Sequence, residues 1–299
     1  MARRYKDSEN VSYALIRSMV KDGTYSDKTI AHTRQHCKIV IRYLKGRSLY
    51  QITPEDVKAI HSAMINDGLA VATQKNYIFI LKKLLAFIDN PAHDVKIVFQ
   101  ADTRPNVDWL TPEEARTVLD APLTPIQGLT IVLALCMGLR RVEIIRLKVS
   151  DIDYSKECIS VIGKGRAGGK LRLVPFHPRF IKALTVWLKV RSDLCLIGNG
   201  EAPENLLIWR SNADRRLYPY NAVKGSGIDG IIRRASESVN IHFSAHTLRR
   251  TFGRIMWLSG VSVIVIARIL GHSSTEQTLQ YIGANLDDMA GAMNTFFLK

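Results

Sequence analysis

Apolar residues recur every three or four positions through most of the first ninety residues, a spacing that places them along one face of a helix. The recurrence is seen in residues 11–20, 30–44, 57–65 and 77–88. Glycine-containing breaks separate these segments, and Thr53-Pro54-Glu55-Asp56 has the composition of a helix start. The pattern predicts a small helical bundle, which we place in a domain of residues 1–93.

A polar and irregular stretch follows the predicted bundle. Gln100 to Asp108 shows no clear periodicity, and we predict a linker over residues 94–108. A second helix start, Thr111-Pro112-Glu113-Glu114, then opens a longer domain of residues 109–299. The chain is therefore predicted to have two domains.

The longer domain is predicted to be mostly helical with one β insert. Cys158 to Ile162 and Leu171 to Pro175 have the composition of strands and flank a glycine-rich stretch, which predicts a β-hairpin. Helical periodicity resumes at Arg179 to Arg191 and again from Thr247 onward. Asp193 to Gly227 has no strong period, so no element is predicted there. The expected fold class is mainly α with a small β-hairpin or sheet insert.

The charge of the chain points to its partner. Lys and Arg total 42 against 27 Asp and Glu, a formal net charge of +15, while 46% apolar and 23% charged residues are ordinary for a globular protein. Residues 1–93 contain 15 basic and 8 acidic residues, and the remainder contains 27 basic and 19 acidic residues. Such a balance is typical of proteins that bind polyanions. Nucleic acid contacted by both domains is the expected partner.

Cysteine spacing and apolar runs bear on the compartment. Cys37, Cys136, Cys158 and Cys195 form no C-x-x-C pair, so we expect free thiols in a reducing cytoplasm rather than a zinc ribbon or a disulfide framework. The first residues contain no apolar run typical of a secretory signal. The most apolar run, Ile255 to Leu270, is interrupted by polar residues and too short to span a bilayer. We expect no membrane association and a cytoplasmic, nucleoid-associated protein.

Two patterns suggest cofactor or metal chemistry. Gly163-x-Gly165-x-x-Gly168 matches the dinucleotide fingerprint, but a strand rather than a helix follows it, so no dinucleotide cofactor is predicted. Asp151, Asp153 and Glu143 are the carboxylates of a metal-dependent nuclease hypothesis. The alternative is that Asp151 and Asp153 belong to a turn and that Glu143 lies on the surface of a helix.

A third set of residues suggests a phosphate-handling site. His246 and Arg249 are three residues apart, which places them on one face of a helix. Gly271-His272 follows, and Ser274-Thr275-Glu276-Gln277 has the form of a capping box that starts a new helix carrying Tyr281. Each residue alone has a structural explanation as a cap or a packing residue. Their occurrence together favours a shared site.

With two upstream motifs, this set resembles the tyrosine recombinase family, which includes phage-type integrases and Xer-like recombinases. The family's first arginine motif corresponds to Gly138-Leu139-Arg140-Arg141-Val142-Glu143, and its hairpin lysine motif corresponds to Gly163-Lys164-Gly165. The resemblance covers roughly residues 109–283. It implies a catalytic domain there and a core-binding, SAM-like helical domain before it.

The resemblance also implies the site residues and their roles. In the family's mechanism, Arg140 and Arg249 neutralise the scissile phosphate, and His246 accepts the proton of the nucleophile Tyr281. Lys164 protonates the leaving 5′-oxygen, and His272 contacts the phosphate or braces the tyrosine. Glu143 is expected to orient an active-site cation. No cofactor and no metal are implied.

The implied activity is site-specific recombination of double-stranded DNA through a 3′-phosphotyrosyl intermediate and a Holliday junction, in a tetramer on two DNA sites. A topoisomerase-like nicking and closing enzyme uses the same residues without synapsis and is one alternative. A non-catalytic regulator with a helix-turn-helix around Ser259-Gly260-Val261 is the other. Accessory proteins are unknown.

Two details remain open from the sequence. The hairpin tip is a few residues longer than the common form of the family, so Lys170 competes with Lys164 for the general-acid role. The C-terminal residues Met289, Met293 and Phe296 have helical spacing. Amphipathicity alone does not decide whether this tail packs on its own chain or on a neighbouring protomer.

Overall fold

The computed structural model of the protein describes residues 2–100, 108–163, 170–220 and 227–283. The chain divides into two compact units, Met1–Arg104 and Pro105–Lys299. The C-terminal tail and the tip of the predicted hairpin lie outside the described residues.

The first unit is the helical bundle that the apolar spacing predicts. Its helices are α1 Ala2–Asp22, α2 Asp27–Tyr43, α3 Pro54–Asn66 and α4 Val71–Phe87, with 3₁₀ turns at Leu49–Gln51 and Pro91–Asp94. Helix α1 begins nearer the N-terminus than the sequence predicts. The prediction missed its first turns because they are polar and show no apolar period. Thr53 and Asp56 form the capping box that starts α3.

A buried amide closes this bundle. The side chain of Asn90 donates to the carbonyl oxygens of Leu49 and Ile52, at 2.9 and 3.0 Å. It also accepts from the backbone N–H of Ala92. Beyond this turn, Val95, Ile97 and Phe99 pack against the core of the first unit.

Helices surround a large apolar core in the second unit, and Phe252, Ile266 and Leu270 form a second, smaller apolar cluster. The helices are α5 Pro112–Asp120, α6 Pro125–Ile131, α7 Arg141–Arg146, α8 Pro178–Ile197, α9 Ile228–Val239, α10 Ala245–Leu258, α11 Val263–Leu270 and α12 Thr275–Ile282. A π-helix, Val132–Cys136, continues α6 and packs against α10. The apolar spacing did not predict α9, which begins just after the stretch without a period.

Two small sheets complete the second unit. Strands β1 Ile152–Asp153, β2 Cys158–Ile162 and β3 Leu171–Pro175 form an antiparallel sheet in that order, which confirms the predicted hairpin strands. Strands β4 Ile208–Arg210 and β5 Leu217–Pro219 form a second hairpin. Three-residue strands are too short to show an alternating pattern, so this hairpin was not predicted.

The four cysteines are free thiols. Within the described ranges, every helix is too short or too polar to cross a membrane.

Gly138 joins the π-helix to the segment that carries Arg140. Its φ of +63° lies in the left-handed region, which is costly for other residues. A Cβ on Gly138 would lie 2.6 Å from Cδ1 of Phe252 and 3.0 Å from Cδ2 of Leu270. The turn that delivers Arg140 therefore requires glycine for both conformation and space.

We predict that Gly138→Ala lowers the free energy of unfolding of the second unit by about 3 kcal/mol, combining left-handed strain with overpacking. Gly260→Ala is the matched control, because Gly260 has a φ of +80° but no atom within 4 Å of an added Cβ. It is expected to lose only about 1–2 kcal/mol. Urea unfolding followed by circular dichroism measures both, and equal losses would contradict the steric role of Phe252.

Candidate active site

The carboxylate of Glu143 is buried among three arginine side chains. One of its oxygens accepts from Arg140 at 2.9 Å and from Arg172 at 2.8 Å. The other accepts from Arg172 at 2.8 Å and lies 3.6 Å from a guanidinium nitrogen of Arg249. The carboxylate offsets the repulsion among three positive charges, which is strong in a largely buried space.

Arg140 lies at the N-cap of α7 rather than inside a helix. Its backbone is extended, with φ −72° and ψ 149°. Its N–H donates to Glu143, three residues on, at 2.7 Å, in the manner of the return bond of a capping box. This start of α7 brings Glu143 close to the Arg140 guanidinium.

The C-terminal end of α11 anchors the same three arginines. Arg172 donates to the carbonyl oxygen of Ile269 at 2.8 Å, Arg249 to that of Leu270 at 2.6 Å, and Arg140 to that of Gly271 at 2.9 Å. The last carbonyl groups of a helix have no partner within it and carry partial negative charge. Three successive carbonyl groups thus align the three guanidinium groups.

Arg249 also bonds to the carbonyl oxygen of Gly138, in the turn that precedes Arg140. Its side chain is only 3% exposed. Burial and the charge of Arg140 lower its pKa to about 10, so it remains protonated at neutral pH. Both predicted arginines therefore lie at one site, fixed by backbone as well as by Glu143.

Tyr281 lies between the two predicted histidines. Its ring centroid is 5.3 Å from that of His246 and 5.0 Å from that of His272, and both contacts are edge-to-face. The guanidinium carbons of Arg249 and Arg250 lie 5.9 and 5.6 Å from the same ring. The phenolic ring is thus held by two imidazoles and two cations.

The hydroxyl of Tyr281 is buried and makes no hydrogen bond of ordinary geometry to any residue that the structure describes. Burial raises its pKa above the ordinary value, although the nearby guanidinium groups of Arg249 and Arg250 act in the opposite direction. The phenol is therefore protonated at neutral pH. Ionisation requires a proton acceptor.

Hydrogen bonds assign the tautomer of His272. Its Nδ1 lies 2.9 Å from the hydroxyl of Thr278, which itself donates to the carbonyl oxygen of Ser274 at 3.3 Å. Nδ1 therefore carries the proton, and Nε2 faces Arg249 at 3.4 Å as an acceptor. Burial and the charge of Arg249 lower the pKa of His272 to about 4, so the ring is neutral.

His246 is half-buried on α10, the helix that also carries Arg249. Burial, followed by the charges of Arg250 and Arg249, lowers the pKa of His246. A neutral imidazole has a free lone pair at neutral pH. His246 therefore has the protonation state of a proton acceptor.

One pocket of about 490 Å³ brings together five of the six predicted catalytic residues. They are Arg140, His246, Arg249, His272 and Tyr281. Lys164 lies outside the described residues. Lys170 is exposed at the start of β3, and its carbonyl oxygen accepts from the N–H of Gly163 at 2.9 Å.

The acidic residues of the nuclease hypothesis do not form a carboxylate cluster. Asp151 accepts from the backbone N–H of Lys148, and Asp153 accepts from Ser155 in a turn. Glu143 is surrounded by arginines instead. Among the described residues, no group of three or more His, Cys, Asp or Glu side chains is placed to hold a metal ion.

Sequence reasoning missed three charged residues near the site, one of which is Arg250, 5.6 Å from the Tyr281 ring. Arg172 is the partner that holds both oxygens of Glu143. A signal was present, because Arg172 alternates onto the same strand face as the buried Val174. Asp229 pairs with Arg141 at the pocket, and no local pattern marks that contact.

Comparisons with known proteins agree with this fold. Residues 108–287 match the phage integrase family. The chain is 27% identical to the tyrosine recombinase XerC of Shewanella amazonensis, covering 92% of this chain and 91% of that protein. It is 24% identical to XerC of Roseiflexus castenholzii, covering 91% and 88%.

A solved structure of similar fold is the integrase of the Tn1549 transposon in complex with circular intermediate DNA. Its TM-score is 0.72 at 21% identity, covering 95% of this chain and 98% of that one. The family match and the curated relatives thus define the class of protein as an enzyme of DNA recombination. The chain belongs to the phage integrase family and is a site-specific tyrosine recombinase. The topoisomerase-like and regulator alternatives are not favoured.

We predict that Glu143→Gln destabilises the second unit in a pH-dependent manner. Burial alone would raise the pKa of Glu143, but hydrogen bonds and charge from Arg172 hold it at about 2, against 4.5 for a free side chain. A lowered carboxyl pKa contributes stability above the unfolded value, which disappears as the pH falls toward the folded value. The variant is therefore expected to lose about 3 kcal/mol at neutral pH and less as the pH falls.

Urea unfolding from neutral pH to about pH 3 measures this difference. Glu204→Gln is the control, because Glu204 pairs with Lys148 on the surface, where ion pairs contribute little. A loss for Glu143→Gln that stayed constant with pH would contradict the electrostatic explanation.

Proposed function

We propose that the protein recombines double-stranded DNA through a covalent 3′-phosphotyrosyl intermediate on Tyr281. One observation carries the proposal: the buried hydroxyl of Tyr281 shares a pocket with two neutral histidines and two fixed guanidinium groups. A phosphodiester at this position meets a nucleophile, a proton acceptor and cationic donors together.

Arg140 and Arg249 act on the scissile phosphate. Negative charge grows on its non-bridging oxygens during attack, and planar guanidinium groups donate hydrogen bonds to those oxygens. A positioned arginine contributes about 10³–10⁵ to the rate of related phosphoryl transfers. Two arginines therefore provide the charge stabilisation that a metal ion provides elsewhere.

His246 accepts the phenolic proton as the Tyr281 oxygen attacks phosphorus. A bond forms between that oxygen and phosphorus, and the bond to the 5′-oxygen breaks. Lys164 donates the proton that the leaving 5′-oxygen takes up. His272 braces the Tyr281 ring, and its Nε2 accepts a hydrogen bond from Arg249, as its tautomer favours. Glu143 orients the guanidinium groups of Arg140 and Arg249.

Attack by the free 5′-hydroxyl of a second strand reverses these steps and rejoins the DNA. We propose that strands are exchanged in pairs through a Holliday junction, in a tetramer on two DNA sites. Residues 1–93 serve as the core-binding domain, residues 94–108 as the linker and residues 109–299 as the catalytic domain. The basic excess in both regions supports DNA contact by both. The working compartment is the cytoplasm, at the nucleoid.

We predict that Tyr281→Phe binds DNA normally but forms no covalent adduct, because only the nucleophilic oxygen is removed. The target site comes first: the wild-type protein is incubated with a DNA library, covalent adducts are isolated, and the trapped ends are sequenced. A nicked suicide duplex carrying that site then measures adduct formation by gel shift after denaturation.

Wild-type cleavage is expected to persist in excess chelator, since the proposed chemistry uses arginines. Tyr220→Phe, a change at a tyrosine outside the pocket, is the control and should leave the adduct intact. An adduct with Tyr281→Phe, or loss of wild-type cleavage with chelator, would refute the proposal.

We predict that Lys164, rather than Lys170, is the general acid. Lys164 closely follows β2, whereas two glycines separate Lys170 from the rest of the tip. Replacing the bridging 5′-oxygen by sulfur removes the need for an acid, because a thiolate leaves without a proton. Lys164→Ala should cleave normal DNA poorly and the sulfur substrate nearly as well as wild type.

Lys170→Ala is the matched control and should show only weaker DNA binding. The measurement is the rate of adduct formation on the two substrates. If the sulfur substrate rescued Lys170→Ala and left Lys164→Ala inactive, the two roles would have to be exchanged.

A further inference from the structure

Arg172 is a charged residue on the inward face of β3. It pairs with Val161 of β2 and shares its face with Val174, and its side chain is 11% exposed. A buried guanidinium is costly unless its donors are satisfied and its charge is paired. The partners of Arg172 therefore explain why it is retained there.

Those partners join three separate elements. Arg172 donates one hydrogen bond to each oxygen of Glu143, both at 2.8 Å, and its Nε donates to the carbonyl oxygen of Ile269 at 2.8 Å. The side chain also fills the space beside Gly271, where an added Cβ would lie 3.1 Å from Cδ of Arg172. A strand of the hairpin is thus connected to the start of α7 and to the end of α11, where the turn carrying His272 begins.

The paired bond to Glu143 has an electrostatic consequence. Arg140, Arg172 and Arg249 surround one carboxylate, so the cluster keeps an excess of positive charge. Without Arg172, the only guanidinium groups left around Glu143 in the described structure are those of Arg140 and Arg249. The buried carboxylate then attracts the guanidinium groups of Arg140 and Arg249, which are the two cations that the scissile phosphate requires.

We propose that Arg172 is a positioning residue for strand cleavage. It forms hydrogen bonds with both carboxylate oxygens of Glu143, so that Arg140 and Arg249 remain available to the scissile phosphate. Arg172 does not line the pocket, so it acts through Glu143 rather than on DNA. The inference rests on the proposed function. It adds a residue outside the six that carry the chemistry.

A purely mechanical role is the competing explanation. In that case Arg172 stabilises the second unit through Ile269 and Gly271, and the charge of Glu143 is irrelevant. The two explanations differ when the Glu143 side chain is made neutral by Glu143→Gln. A neutral amide attracts a guanidinium group much less than a carboxylate does, so the change compensates for loss of Arg172 only if the charge matters.

The test measures single-turnover adduct formation on the nicked suicide duplex with saturating full-length protein. Arg172→Gln is expected to cleave about 10- to 100-fold more slowly than wild type, less than the loss of about 10² to 10³ for a directly bonding donor. Its DNA affinity is expected to be unchanged. The double variant Arg172→Gln/Glu143→Gln is expected to cleave about fivefold faster than Arg172→Gln alone.

Arg191→Gln is the matched control. Arg191 also donates to backbone carbonyl oxygens, those of Pro203 and Asn205, at 2.6 and 3.2 Å, but it lines no part of the site. It should lower thermal stability without slowing saturated cleavage. If Arg172→Gln does not fold, Arg172→Met, which keeps much of the side-chain length but removes the charge, is compared with and without Glu143→Gln in the same way.

A double variant as slow as Arg172→Gln, or a single variant that cleaves like wild type, would overturn the proposal. So would an equal loss of rate in Arg191→Gln. Absence of a Tyr281 adduct in the wild-type protein would instead refute the proposed function. The two failures are therefore distinguishable.

Discussion

The second unit depends on keeping three guanidinium groups close together in a largely buried space. One carboxylate, that of Glu143, faces all three, and three successive carbonyl oxygens at the end of α11 receive one donor each. Without these acceptors, mutual repulsion and desolvation would separate or expose the arginines. The helix end acts together with the acid, because it supplies negative potential without adding a net charge.

This arrangement explains why the site is assembled from distant parts of the chain. Arg140 follows the π-helix, Arg172 lies on β3, and Arg249 lies on α10. The C-terminal end of α11 supplies the carbonyl oxygens to which all three donate. Each element packs on one of the two apolar clusters of the second unit, and the polar contacts fix the remaining freedom of the side chains. Gly138 permits the close approach of Phe252 at the centre of this assembly.

Much of this could be predicted from the sequence. Helical spacing, capping residues and the glycine-flanked strands predict most helices and the hairpin, because these signals are local. The predicted residues Arg140, His246, Arg249, His272 and Tyr281 lie together as the resemblance implies. Arg172 and Asp229 were missed, since their partners are distant in sequence, and β4 and β5 were too short to show a period.

The buried hydroxyl of Tyr281 makes no hydrogen bond of ordinary geometry to the residues that the structure describes, so stability and reactivity oppose each other at this atom. A buried polar group without a partner costs about 1–3 kcal/mol, and a weak bond at the proposed nucleophile adds part of such a cost to the folded second unit. A substrate that completes its hydrogen bonding recovers the energy on arrival. The proposed reaction therefore exchanges some stability of the second unit for substrate binding at the nucleophile.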